Sequence, residues 1–106
     1  MVHWFRHKGY KEPQVGALID YARMESNFNP CITNGRRYKY TFQWSAERLD
    51  RLAQFSRTRS CPPLEKQLAF ADWELRTNGN YTCFFDATTR SSALSALRRG
   101  FGYGRC

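Results

Sequence analysis

Apolar and polar positions along the chain fall into four helical stretches separated by turn-forming residues. Val15, Leu18, Ile19 and Ala22 keep the one-face spacing of an amphipathic helix. Pro13, just ahead of them, suits a helix's first turn. Glu25 takes the next slot on the same face, and Asn27 to Pro30 end the helix, because proline disfavours a helical residue before it. Leu49, Leu52, Ala53 and Phe55 predict a second helix over about 46–57. Ser45 suits its N-cap, and Trp44 and Leu49 sit at the positions of a hydrophobic staple. Leu64, Leu68, Ala71 and Leu75 predict a third helix, opened by Pro62 or Pro63 and stopped by Asn78-Gly79. A fourth runs over about 91–99, with Ala93, Leu94 and Leu97 inside and Gly100 at its stop.

Between the first two helices the pattern changes. Asn34-Gly35 signals a turn, and RRYKYTFQW, rich in aromatic and β-branched residues with rough alternation, predicts a short strand or hairpin arm. Residues 1–11 read as a polar and aromatic lead-in, and NGNYTCFFDATT as a loop. No internal repeat or linker interrupts the chain. The expectation is a mainly α chain, a single small helical domain over residues 1–106 with a short β-hairpin after the first helix.

Composition narrows the function classes. A chain of 106 residues fits one domain, and 16% aromatic content argues against disorder. No apolar run approaches the length of a membrane span, so stable membrane insertion is not expected. MVHWFRHKGYKEP lacks the apolar stretch and cleavage site of a signal peptide; any export signal is expected to be removed, replaced by Met1 or never needed. The net charge of +8 favours polyanions. The basic residues are spread along the chain and match no nucleic-acid motif, so a nucleic-acid partner is not expected.

Cys31, Cys61, Cys83 and Cys106 are isolated from one another, without a CxxC motif. Two disulfides in an oxidising compartment are expected, with three pairings open. His3 and His7 share a helical spacing without a third ligand nearby, so neither a metal nor another cofactor is expected.

Glu25 is the position with candidate chemistry. A carboxyl on the core side of a helix loses water, which disfavours the charged form. A protonated carboxyl can donate to a leaving glycosidic oxygen. The plainer alternatives are pairing with one of the arginines, or facing water at the helix end. Tyr38, Tyr40, Phe42 and Trp44 offer rings that either stack on sugar faces or pack in a core. Gln43 supplies both a donor and an acceptor.

Glu25-Ser26-Asn27-Phe28-Asn29-Pro30 resembles the E-S-x-F-N-P signature of the lysozyme-like superfamily, shared by soluble lytic transglycosylases and phage tail lysozymes. Tyr40-Thr41-Phe42-Gln43-Trp44 resembles the G-L-[MF]-Q-[W] segment that follows the catalytic glutamate there, and residues 45–55 resemble the next helix. Gln67-Leu68-Ala69-Phe70 and Trp73-Glu74-Leu75 resemble the Q-L-x-F-x-x-x-E-L helix of the phage tail lysozyme group. The resemblance covers residues 14–76, with an echo at 91–103.

This resemblance implies an α+β lysozyme-like fold. It also implies a peptidoglycan-cleaving glycosidase, a lytic transglycosylase or a muramidase, that cuts the β-1,4 bond between N-acetylmuramic acid and N-acetylglucosamine. Glu25 would be the general acid; Ser26, Gln43, Tyr40, Phe42 and Trp44 would bind substrate. No clear second acid accompanies Glu25: Asp20 lies off its helix face, and Glu47 and Asp50 read as capping or surface charges. The implied partner is the peptidoglycan glycan strand, met by a monomer in the periplasm or outside the cell. Delivery as a secreted effector would add an inhibitor or immunity protein. The alternative is a non-catalytic glycan- or protein-binding module that keeps the same fold. The chain departs from the motif at Tyr40, where the family has glycine, and at Thr41, where it has leucine. Tyrosine adopts positive φ only at a cost, so a reshaped β element or an altered cleft floor is expected.

Overall fold

The computed structural model describes residues 1–101. Among them are six α-helices: α1 (Val2–His7), α2 (Glu12–Ser26), α3 (Ala46–Ser56), α4 (Leu64–Thr77), α5 (Thr82–Asp86) and α6 (Arg90–Phe101). A two-stranded antiparallel hairpin, β1 (Thr33–Asn34) and β2 (Tyr38–Lys39), lies between α2 and α3, and a 3-10 turn, Gly79–Tyr81, precedes α5. The described chain is thus mainly α with a short hairpin after α2, as the apolar spacing predicts.

Two stretches differ from expectation. The lead-in contains α1, and the loop around Cys83 contains the 3-10 turn and α5. Both helices are too short to show an apolar stripe. They form because single aromatic anchors pin them: Phe5 on α1 and Phe84 on α5 are wholly buried.

The residues divide into two compact units, Met1–Tyr21 with the chain from Glu74 onward, and Ala22–Trp73. The first is built around aromatic rings. Phe5 meets Tyr10 edge-on at 5.1 Å between centroids, and Phe101 packs against Tyr21 and Tyr81. Gln14, also buried here, donates from Nε2 to the carbonyls of Phe84 (2.9 Å) and Ala87 (2.8 Å), which ties α2 to the end of α5.

The second unit holds the hairpin, α3 and the motif segments. Its core includes Phe42, Trp44, Leu52, Leu68, Phe70 and Ala71. Trp44 stands edge-on to both Phe42 and Phe70, at 5.6 and 5.7 Å. On α3, Ser45 takes the extended N-cap conformation without a side-chain cap bond, and Arg57 closes the helix in the left-handed conformation, φ +60. Disulfide Cys31–Cys61 spans this unit, with Cα atoms 5.4 Å apart. Cys83 is also disulfide-bonded; Cys106 lies outside the described residues.

The expected strand over RRYKYTFQW is only two residues long. In the hairpin, Thr33 pairs with Lys39 and Asn34 with Tyr38, and Gly35 turns the chain at φ +67. Beyond Lys39 the backbone folds back at once. Lys39 and Trp44 exchange both backbone bonds (3.0 and 2.9 Å), closing a tight turn over Tyr40–Gln43. The Gln43 N–H donates to the Tyr40 carbonyl at 3.1 Å. All five residues from Tyr40 to Trp44 are buried. A strand with one wet face would have buried only every second one.

Candidate active site

Glu25 lies in the last turn of α2 and is half-buried, rather than sunk into the core as its helical slot predicts. The reason is the next residue. Ser26, not Glu25, turns inward: it is 3% exposed and its hydroxyl donates to the Ala22 carbonyl at 3.0 Å. That back-bond to the preceding turn anchors the helix end. Ser26 therefore supports the backbone under Glu25 and presents almost no surface of its own.

No hydrogen bond or ion pair holds the Glu25 carboxyl among the described residues. The acids considered as possible second carboxylates are otherwise engaged. Asp20 receives two bonds from Arg90 (2.6 and 2.7 Å), and that hydrogen bonding pushes the arginine further above its ordinary range. Glu47 pairs with Arg51 at 3.9 Å and Asp50 with Arg59 at 3.3 Å.

The chain leaves α2 through two left-handed residues, Asn27 (φ +49) and Phe28 (φ +63). Left-handed φ costs residues other than glycine free energy, and such strain clusters at functional sites. Asn29 then makes a local turn, its Oδ1 accepting the Cys31 N–H at 3.1 Å. The turn exposes Phe28, whose ring lies 5.6 Å from the Arg23 guanidinium. Met24, Ile32 and Tyr38 are exposed as well.

The second motif forms the Tyr40–Gln43 turn, and it keeps the backbone that glycine would take freely. Tyr40 sits at φ +76 and Gln43 at φ +52. Tyr40 itself thus takes the positive φ expected to be costly for a tyrosine. The ring is buried, 6% exposed, and its packing offsets the strain. Gln43 Nε2 donates to the Tyr40 carbonyl at 2.9 Å, while its Oε1 is buried without a hydrogen-bond partner. Phe42 and Trp44 are wholly enclosed. Their faces are taken by the core, so neither is placed to stack on a sugar; the exposed rings of this unit include Phe28 and Tyr38 instead. Phe28 stands in the quoted motif, but its exposure was not legible there, because it depends on a left-handed turn that phenylalanine does not announce.

A cavity of about 160 Å³ lies against the turn, lined by residues including Lys39, Tyr40, Leu52, Thr58 and Pro62. It is below the roughly 300 Å³ at which ligand pockets begin, and Glu25 does not line it. The candidate site is the open surface at the end of α2, not this cavity. No cluster of three or more metal-ligating side chains occurs among the described residues.

A helical protein with a hairpin after its acid-bearing helix, and an unpaired glutamate where that helix breaks, has the layout of the lysozyme-like class. The match to known families is more specific. The model of the phage tail lysozyme family matches residues 1–103, and the chain belongs to that family. Neither a curated protein nor a solved structure matches the chain. Membership supports a lysozyme-like glycosidase as the class of activity.

Proposed function

We propose that the protein cleaves peptidoglycan glycan strands at the β-1,4 bond between N-acetylmuramic acid and N-acetylglucosamine, with Glu25 as general acid. The observation that carries this reading is the Glu25 carboxyl: half-buried, unpaired and at the break of α2, in a chain of the phage tail lysozyme family. With no cation or donor occupying them among the described residues, the Glu25 oxygens are open to the bridging oxygen of a bound glycan, to which a general acid gives its proton as the glycosidic bond breaks through an oxocarbenium-like state.

Gln43 is proposed to meet the sugar by turning its side chain outward from the Tyr40–Gln43 turn, since no protein donor holds its Oε1 in the buried position. Phe28 and Tyr38 are among the exposed rings and would offer a sugar face. The engagement of Asp20, Glu47 and Asp50 in ion pairs favours a single-carboxylate route over one that needs a second acid. In that lytic transglycosylase route Glu25, now a carboxylate, takes the proton of the muramoyl 6-hydroxyl as its oxygen attacks the anomeric carbon, giving a 1,6-anhydro end. The disulfides fit a site of action outside the cytosol.

The test is digestion of purified sacculi, with released muropeptides analysed by mass. Anhydro ends are expected; reducing ends would assign muramidase chemistry instead. Glu25→Gln is expected to abolish release while changing stability by less than about 0.5 kcal/mol, as for a surface substitution without partners. Equal release by Glu25→Gln would remove Glu25 from the mechanism. No release by the wild type would leave the binding-module reading.

A further inference from the structure

Gln67, on α4, is wholly buried, and its amide group is fully used. Nε2 donates to the carbonyls of Pro30 (2.8 Å) and Pro62 (2.9 Å). Oε1 accepts from the Thr41 N–H (3.1 Å) and the Thr41 hydroxyl (2.7 Å). Two N–H donors meet two carbonyls, and two lone pairs meet two donors. The opposite amide orientation would set like against like at three of the four contacts, the two carbonyls and the Thr41 N–H, so the network itself fixes which atom is which.

Those partners are the last residue of the Glu25–Pro30 motif, the second residue of the Tyr40–Gln43 turn, and the entry to α4. A single amide thus joins the segment behind the acid to the turn that carries Gln43. The Cys31–Cys61 disulfide joins only the first and third of these segments. Tyr40 N–H to the Ile32 carbonyl, at 2.7 Å, is a parallel tie between the first and second. Thr41 is the residue that departs from the leucine of the family motif. Its hydroxyl supplies a bond that leucine could not make.

We infer that Gln67, with Thr41, is a positioning residue that sets where Gln43 stands relative to Glu25. The inference rests on the proposed role of Glu25. Left-handed residues in both segments would relax toward ordinary φ if released, so the tie acts on backbone that is under load on each side of it.

Thr41→Val is the gentle probe: it keeps the shape and the backbone bond, and removes one hydroxyl donor. Gln67→Glu and Gln67→Met are the stronger ones. On sacculi, per folded molecule, Thr41→Val is expected to lower kcat about tenfold with little change in KM, the pattern of a displaced group rather than lost binding. Gln67→Glu presents a carboxyl to two carbonyl oxygens, and in its ionised form it has no donor for either. Protonation restores one donor, so its kcat relative to wild type should rise on acidification; that of Gln67→Met should not. Wild-type kcat per folded molecule in Thr41→Val and Gln67→Glu, with only the melting temperature lowered, would make the network merely structural. Amide exchange separates this outcome from a wrong function. Thr41→Val should speed exchange at Asn29 and Gln43 together even if no variant cleaves sacculi. Unchanged exchange at both would overturn the inference, whereas inactive wild type with coupled exchange would overturn only the assignment of Glu25.

Discussion

Replacing Tyr40 by alanine and by glycine separates two effects that the native residue combines. Tyr40 is 6% exposed, so either change removes a buried aromatic ring. That loss costs about 3–5 kcal/mol in large-to-small core substitutions, and it cancels when the two variants are compared. What remains is the backbone. At φ +76 alanine keeps a left-handed penalty of about 1–2 kcal/mol that glycine escapes. Glycine in turn gives up about 0.5–1 kcal/mol through the greater freedom of its unfolded chain. The central difference leaves Tyr40→Gly more stable than Tyr40→Ala by roughly 0.75 kcal/mol, within a span of about 0–1.5, the reverse of their order in a helix or strand interior. Both should lie below the wild type. Urea unfolding followed by tryptophan fluorescence reads the order directly as midpoints, provided the slopes agree. Thermal midpoints should separate by about 4 °C. If the alanine variant proves as stable as the glycine one, Tyr40 is not strained and the account of this turn is wrong.

Arg57→Gly should be stabilising. Arg57 is exposed at φ +60 where α3 ends, and glycine is the usual residue there; the gain centres on roughly 0.75 kcal/mol, within about 0–1.5, after glycine's entropy is set against the relieved penalty, seen as a higher urea midpoint. Cys31→Ser with Cys61→Ser opens a loop of sequence separation 30. The chain-entropy estimate for such a loop is about 3.7 kcal/mol, and calorimetry of the double variant should show a loss approaching that figure.

The sequence carried the longer helices because burial imposes a period. Val15, Leu18 and Ala22 on α2, Leu68, Ala71 and Leu75 on α4, and Ala93 and Leu97 on α6 are all buried. Phe55 and Leu64 share such stripes and are exposed, at the edges where the period no longer decides. The segment from Tyr40 to Trp44 misled for a physical reason. Aromatic and β-branched residues fit a pleated surface, but they equally fill a core around a tight turn. Nothing in the letters Y and Q declares a positive φ. Glu25 was legible as an oddity of spacing, and as a motif. Its freedom from arginine was not, because ion pairing is a tertiary matter: Asp20 and Arg90 meet across 70 residues of chain. Gln67 stood in a quoted motif without a visible role, since its partners are drawn from three separate segments.

The Cys31–Cys61 bond has a consequence for the life of the protein among proteases. It makes a covalent ring of the stretch that contains the hairpin, the Tyr40–Gln43 turn and α3. Arg36 and Arg37 stand exposed at the hairpin tip, the natural place for a trypsin-like cut. A nick there opens the ring without shedding a fragment. The segment bearing Glu25 and the segment bearing Gln43 would remain parts of one molecule, joined through sulfur where the main chain no longer runs.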